Sequence, residues 1–288
     1  MKNRLPILFK QDLPSEEALR LSRILNDDYR LNTVCQSAKC PNISHCFSQS
    51  HATFMILGNK CTRNCRFCNV EAAVEKNLGV DSGEPLRVAE AIKFLKLKYA
   101  VVTSVTRDDL TDGGAGHFAK TIQAVREINP GAEIEVLIPD FQGSFPALEV
   151  VVNEKPEVIS HNLETVERIF PLVRRQADYK RSLNLLKNIK LINPGQTTKS
   201  SLILGLGETD SDLKQALCDL RSVNCDMLVL GQYLSPSENH YPVEKFYSPQ
   251  EFESWKDFAY ELGFRNVCSF PLARTSYPNK KEELCTTS

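Results

Sequence analysis

Six of the ten cysteines fall in two tight triplets, Cys35-x4-Cys40-x5-Cys46 and Cys61-x3-Cys65-x2-Cys68, with fourteen residues between them. Three thiolates are one short of the four that a cubane iron–sulfur cluster takes. A cubane held by three leaves one iron open to another ligand, and an open metal position is where chemistry can happen. Zinc is the rival, since thiolates also bind it tetrahedrally. Zinc sites usually gather four ligands from two close pairs, whereas both groups here are triplets. Two such centres side by side point to a redox enzyme rather than a structural protein.

Composition narrows the setting. Ten cysteines in 288 residues do not read as a stapled scaffold, because a chain this long can bury a core of its own. Hydrophobic residues make up 42% and charged residues 25%, ordinary for a globular protein. A formal net charge of −1 provides no global field for nucleic acid or an anionic membrane. No apolar stretch approaches membrane-spanning length. Met1 to Pro14 lacks the long apolar core of a signal peptide. These features point to a cytoplasmic protein with neither a nucleic-acid nor a membrane partner.

The residues between the motifs alternate short β-branched runs with amphipathic stretches. Strands are expected at Thr53–Leu57, Tyr99–Val105, Ile134–Pro139, Glu157–His161, Ser201–Gly205, Met227–Gly231 and Asn266–Ser269. Helices are expected at Ser15–Asp27, Pro85–Leu97, Gly116–Ile128, Phe145–Asn153, Glu164–Phe170, Tyr179–Leu191, Thr209–Ser222 and Pro249–Leu262. Thr209-Asp-Ser-Asp212 and Ser248-Pro-Gln-Glu251 carry helix-start signals, and Gly263 a stop. Strand–helix alternation predicts an α/β fold with a parallel sheet, wound as a barrel or an open sheet. Active residues then belong on loops after the carboxyl ends of the strands. The six strands from Thr53 to Gly231 form the main unit, residues 53–234. Residues 1–52 and 235–288 are extensions, the first carrying the upstream triplet.

The second triplet directly follows the first expected strand. With Phe67 before its last cysteine, Cys61-Thr-Arg-Asn-Cys65-Arg-Phe-Cys68 resembles the radical S-adenosylmethionine superfamily signature, C-x3-C-x-aromatic-C. The resemblance implies a partial (β/α)6 TIM-type barrel and a 4Fe–4S cluster on Cys61, Cys65 and Cys68. Its open iron would chelate S-adenosylmethionine, whose reductive cleavage gives methionine and a 5′-deoxyadenosyl radical. The rival reading is an electron-transfer cluster with its fourth cysteine elsewhere, at Cys218, Cys225, Cys268 or Cys285.

The first triplet, placed just upstream of such a motif, resembles lipoyl synthases. Other stretches match that family, among them Leu31-Asn-Thr-Val-Cys35, Thr103-Ser-Val-Thr-Arg-Asp-Asp109, His161-Asn-Leu-Glu-Thr165 and Gly205-Leu-Gly-Glu-Thr209. The resemblance runs from about Leu31 to Tyr277. It implies a second, auxiliary 4Fe–4S cluster on Cys35, Cys40, Cys46 and Ser276, spent as the sulfur source for an octanoyl chain. Carbons 6 and 8 of that chain are unactivated, so only hydrogen-atom abstraction is plausible, once per sulfur. The implied substrates are octanoylated lipoyl carrier domains of 2-oxoacid dehydrogenases and the glycine-cleavage H protein. A flavodoxin or ferredoxin donor and a carrier that rebuilds the consumed cluster are implied too. Ser276 lies in Arg274-Thr-Ser-Tyr277, where the family has two serines, so Thr275 replaces the first. An alkoxide suits soft cluster iron less well than thiolate, so such an iron should leave readily.

Further contacts follow from position. Gly113 and Gly114 belong to the glycine-rich segment that receives the methionine amino group in this superfamily, or else form a plain tight turn. Asn162 and Glu164, at the end of the fourth expected strand, suit contacts to S-adenosylmethionine, although Glu164 also suits a helix cap. Ser276 has its own bland reading as a turn hydroxyl, and Cys285 is a rival for its place. Cys218, Cys225 and Cys268 read as small buried apolar residues. A methylthiotransferase-like enzyme with an auxiliary cluster, or a two-cluster electron carrier, are the alternative functions.

Overall fold

The chain reaches its sheet through a short entry segment. Helix α1 (Glu16–Arg23) starts where the Ser15 side chain accepts from the Ala18 N–H, and it widens into a π-helical turn at Ile24–Asp28. Strand β1 (Asn32–Thr33) and helix α2 (Val34–Ser37) follow. Then come β2 (Thr53–Ile56), a small pair β3 (Lys60–Cys61) and β4 (Glu71–Ala72), α3 (Glu84–Phe94) and β5 (Tyr99–Ser104). The alternation continues with α4 (Ala115–Ile128), β6 (Glu133–Leu137), α5 (Phe145–Asn153), β7 (Val158–Ser160), α6 (Phe170–Val173) and α7 (Tyr179–Ile192). It ends with β8 (Thr197–Leu204), α8 (Asp210–Ser222), β9 (Met227–Gln232), α9 (Pro249–Glu261) and β10 (Asn266–Ser269). The structure, a computed structural model, describes residues 14–37, 42–43, 46, 52–74 and 78–276, with Pro6 and Phe9.

Eight strands form one sheet in the order β1-β2-β5-β6-β7-β8-β9-β10. From β2 to β10 every pairing is parallel, and β1 is antiparallel to β2. This is the partial barrel. The six expected strands are its core, and β10 carries the same sheet past residue 234. One face of the sheet packs the helices in a continuous apolar core through Phe54, Ile56, Val102, Ile134, Val136 and Ile159. Side chains alternate across a strand, so Glu135 and Ser160 point to the opposite, concave face.

That concave face is polar at its centre. Glu135 and Lys199 are both 0% exposed and pair at 2.7 Å. Ser160 Oγ donates to Glu135 at 2.7 Å, and the Tyr99 hydroxyl donates to the same carboxylate. The register makes this meeting possible. Glu135 sits opposite Val158, two residues before Ser160, which faces Lys199 across β8.

Two expectations change. No helix runs over Glu164–Phe170. Glu164 takes φ +69° and continues the ladder beside β8, with its N–H on the Ser201 carbonyl at 2.9 Å and its carbonyl receiving the Ile203 N–H at 2.8 Å. The ladder bonds win over local helix propensity, so Glu164 caps no helix. Strand β8 begins at Thr197, earlier than the apolar run suggests, because its first residues, Thr197 to Ser201, are polar yet almost all buried. The helix-start signals at Thr209 and Ser248 do form reciprocal capping boxes with Asp212 and Glu251.

Candidate active site

The loop Cys61–Cys68 follows β2 and is held at nearly every residue. Thr62 donates to the Thr106 carbonyl from both its N–H and its hydroxyl at 2.9 Å, and the Asp108 N–H returns a bond to that hydroxyl at 3.0 Å. Asn64 N–H donates to Gln176 Oε1 at 2.7 Å, and Arg66 N–H to the Val173 carbonyl at 2.8 Å. Tyr241 N–H donates to the Arg66 carbonyl at 2.8 Å, and His240 Nε2 lies 3.1 Å from the Cys68 carbonyl. Segments after three other strands, β5, β7 and β9, thus converge on the cysteines. Phe67, the aromatic of the motif, packs half-buried against the main core.

Backbone donors point at the sulfurs. Cys61 Sγ accepts from Thr106 N–H at 3.3 Å and Arg63 N–H at 3.4 Å, and Cys68 Sγ accepts from Val70 N–H at 3.5 Å. Burial pushes the Cys65 thiol up, and Cys61 and Glu164 add to this while Arg174 opposes it. Burial likewise pushes Cys68 up to about 12, with Cys65 and Cys61 adding. Thiols that resist ionisation alone, as Cys65 and Cys68 do, become thiolates only against a cationic core, so the donor set fits an iron–sulfur cluster. Among the described residues no three Cys, His, Asp or Glu side chains are grouped to hold a single metal ion. A cubane asks for something else, one thiolate at each of three separate corners.

A second cavity is lined by Cys35, Cys46, Ala52, Thr53, Tyr99, Val101 and Ser276. Residues from the two ends of the sequence meet there. Asn42 Nδ2 donates to the Leu272 carbonyl at 2.7 Å, and the Gln232 N–H to the Pro271 carbonyl at 2.9 Å, which seats the carboxyl-terminal segment. Cys40 and Cys285 lie outside the described residues. Two thiols and a hydroxyl facing one cavity fit the donor chemistry of an auxiliary cluster. Gly231 guards this arrangement, since a Cβ there would overlap the Ala273 carbonyl oxygen. Gly231→Ala should therefore displace the segment that carries Ser276. Cost should be about 1–3 kcal/mol in urea unfolding, with reduced iron uptake on anaerobic reconstitution.

The strand ends supply a polar rim. Asn162 Nδ2 donates to Glu164 Oε1 at 3.0 Å, and the Thr275 hydroxyl donates to Asn162 Oδ1 at 3.1 Å, linking this rim to the Ser276 segment. Burial pushes the Glu164 carboxyl above its usual range, against the pull of Arg174. Arg174 Nη1 donates to the Asn162 carbonyl at 2.8 Å, while its buried Nε has no hydrogen-bond partner among the described residues. Gly113 and Gly114 form the left-handed turn into α4. A Cβ on Gly113 would press on Phe141 and one on Gly114 would overlap Leu57. Packing and backbone conformation are enough to require glycine at both.

His161 is 2% exposed, with Nδ1 2.8 Å from the Ile138 carbonyl and Nε2 without a hydrogen-bond partner. Burial, helped by Arg174, lowers its pKa to about 4. Below pH 6.5 the unfolded chain takes up a proton that the folded chain refuses until about pH 4. Stability is therefore complete above that window and falls as the pH drops through it, by about 3 kcal/mol from this group. Urea midpoints of the cluster-free protein at pH 7 and 4.5 measure the slope, and His161→Gln should flatten it.

The comparisons with known proteins agree with this geometry. The Radical SAM superfamily profile matches residues 55–220. A lipoyl synthase of Caldicellulosiruptor saccharolyticus is 52% identical over 273 residues, covering 95% of this chain and 94% of its own. One of Aquifex aeolicus is 57% identical over 248 residues, covering 86% and 89%. This chain belongs to the lipoyl synthase family. Among solved structures, methylornithine synthase is similar at TM-score 0.56 and 16% identity, covering 87% of this chain and 74% of its own. A maturase of the FeFe-hydrogenase is similar at TM-score 0.59 and 12% identity, covering 74% and 50%. These two likenesses speak for the fold.

Membership in the lipoyl synthases brings the activity of a radical S-adenosylmethionine sulfurtransferase, with S-adenosylmethionine and 4Fe–4S clusters that include an auxiliary one. Sequence reasoning had left several supporting residues aside. Arg63 lies inside the cysteine loop yet is only 4% exposed. Its one signal was a charged residue between two ligands. Arg107, 0% exposed, pairs with Asp109 and donates to the carbonyls of Leu78 and Gly79. Cys225 and Cys268 are buried as expected, but Cys218 is exposed. It falls off the stripe Leu213, Ala216, Leu217, Leu220 that α8 turns inward. No helix among the described residues is long and apolar enough to cross a membrane.

Proposed function

We propose that Cys61, Cys65 and Cys68 hold the cluster that binds S-adenosylmethionine, and that Cys35, Cys40, Cys46 and Ser276 hold the auxiliary cluster. The reaction is radical insertion of two sulfurs at carbons 6 and 8 of a protein-bound octanoyl-lysine. The observation that carries the assignment is the cavity where Ser276 faces Cys35 and Cys46, more than two hundred positions away in sequence. A turn hydroxyl serving only its own loop has no reason to face two thiols from the opposite end of the chain.

When bound, the first cluster supplies the electron that cleaves the sulfonium, and the second supplies sulfur. The protein's own residues bind, orient and exclude water. The clamped loop keeps Cys61, Cys65 and Cys68 at the carboxyl end of the barrel. Asn162 and Glu164 offer an amide and a carboxylate on the rim, suited to the polar groups of S-adenosylmethionine. The Thr275–Asn162 bond ties that rim to the serine segment, so the two centres share one side chain as a bridge. In this organisation residues 1–52 bring three auxiliary ligands, 53–234 form the radical barrel and 235–288 bring the serine.

The substrate is an octanoylated lipoyl carrier domain, from a 2-oxoacid dehydrogenase acyltransferase subunit or the glycine-cleavage H protein. An octanoyl-lysine arm is long enough to enter the barrel while the carrier stays outside. Flavodoxin or ferredoxin supplies electrons in the cytoplasm, and a cluster-repair carrier restores what is consumed. Anaerobic turnover with an octanoyl-lysyl peptide tests the reading. The product should carry two sulfurs, with about two 5′-deoxyadenosines per lipoyl group. Deoxyadenosine without thiolated product would reject sulfur insertion.

Ser276→Ala should separate the two centres. Deoxyadenosine formation should continue, while lipoyl product falls at least about tenfold as the auxiliary cluster loses a ligand. Parallel assay of both products, with iron analysis, checks this. Equal product from the variant and the parent chain would return Ser276 to the role of a turn residue.

A further inference from the structure

Arg63 sits between Cys61 and Cys65, and its guanidinium is turned away from solvent onto two carboxylates. Nε lies 2.7 Å from Asp108 Oδ2, and Nη2 lies 2.9 Å from Asp108 Oδ1 and 2.6 Å from Asp140 Oδ1. Its side chain is 3% exposed and that of Asp140 0%. Burial opposes ionisation of Asp140, but the Arg63 guanidinium outweighs it and holds the carboxyl down at about 2. Arg63 and Asp140 therefore face each other as a buried ion pair. Arg181 touches Asp140 only at 3.4 Å from a half-exposed position, and His161 nearby is neutral.

Two of these residues, Arg63 and Asp108, also stand beside the donors to the Cys61 sulfur. The Arg63 N–H itself points at Cys61 Sγ. Asp108 also receives the guanidinium on the strand-end loop whose Thr106 N–H makes the second bond to that sulfur. Hydrogen bonds and nearby charge set the reduction potential of an iron–sulfur cluster. A buried positive charge favours the state that has gained an electron. A carboxylate opposes it.

We propose that Arg63, held by Asp108 and Asp140, is a positioning residue that raises the reduction potential of the cluster on Cys61, Cys65 and Cys68. This eases the electron uptake that precedes cleavage of S-adenosylmethionine. The inference rests on the assignment of that cluster under Proposed function. Arg63→Gln leaves two carboxylates without their guanidinium, so the potential shifts negative. Asp140→Asn removes one carboxylate and keeps Arg63, so it shifts positive. Arg63→Lys retains the charge and stays nearer the parent chain than Gln does.

Opposite signs distinguish this from simple loosening of the loop. Loosening would weaken the N–H bonds to Cys61 and move every variant negative. The test is a redox titration of the reconstituted full-length chain by electron paramagnetic resonance. The relevant centre is identified as the one whose reduced signal changes when S-adenosylmethionine is added. A negative shift for Arg63→Gln with a positive shift for Asp140→Asn supports the proposal. An unchanged potential at full iron content, or a negative shift for both, overturns it. If Arg63→Gln does not load iron, Asp140→Asn decides: a positive shift supports the proposal, and an unchanged or negative one overturns it. Cys61→Ala is the separate control. If it keeps the S-adenosylmethionine-sensitive signal, the assignment of the cysteines fails, whatever Arg63 does.

Discussion

Replacing Cys65 with alanine should give a folded protein that makes no 5′-deoxyadenosine and no lipoyl product. Cys65 lies in the turn of the cysteine loop, where its carbonyl accepts the Cys68 N–H at 3.0 Å. Alanine can keep that backbone bond. The loop also keeps its anchors at Thr62, Asn64 and Arg66, none of which involves the Cys65 side chain. What is lost is a sulfur, and a cubane left with two thiolates has no secure place. The second cavity does not include Cys65, so the auxiliary cluster should still assemble. Reconstituted variant should thus hold about four irons per chain against about eight for the parent. Iron analysis and a deoxyadenosine assay measure both quantities. Continued deoxyadenosine formation by the variant would mean that the open-iron cluster lies elsewhere.

Lys199→Met should cost about 3–5 kcal/mol, the usual penalty for breaking a fully buried ion pair by removing one partner. Total stabilities of about 5–15 kcal/mol make that a large share. Lys199 is the cationic partner of Glu135, and neither touches solvent. Without it the carboxylate keeps, among the described residues, the Ser160 and Tyr99 hydroxyls. The phenol stays a neutral donor, since burial and Glu135 both push its pKa up, and it brings no positive charge. The double change Lys199→Met with Glu135→Leu should recover most of the loss, because the charge pair itself gains little over apolar packing. Urea unfolding of the cluster-free chain reads all three. A single-variant loss under about 1 kcal/mol would mean that water reaches the pair.

The ion pair also marks where sequence reading stopped. In the sequence Lys199 is one more cation before an expected strand, and Glu135 a polar residue in a β-branched run. Neither side chain carries a local signal, because each partner lies on a different strand. Arg63 is the same case, with its two carboxylates on loops after β5 and β6. Glu164 shows the opposite failure. Its neighbourhood favours a helix locally, but pairing with β8 overrides that preference. Gly113 and Gly114 carry two readings in the sequence, a ligand contact or a tight turn, and the fold supplies a sufficient packing reason of its own.

Spacing and order were enough for the two cysteine triplets, the parallel strand–helix alternation and the family, because these are set by neighbours along the chain. Hydrophobic periodicity and capping are local, and so is the reach of three thiolates within eight residues. Tertiary structure alone decided which charges are buried, which loop hydrogen bonds face the sulfurs, and that Ser276 meets Cys35 and Cys46.

The curl of the open sheet brings Cys35 and Cys46 from one flank and Ser276 from the other to one cavity. Sequence distance says nothing about that meeting, which depends on strand register and on the absence of a side chain at Gly231.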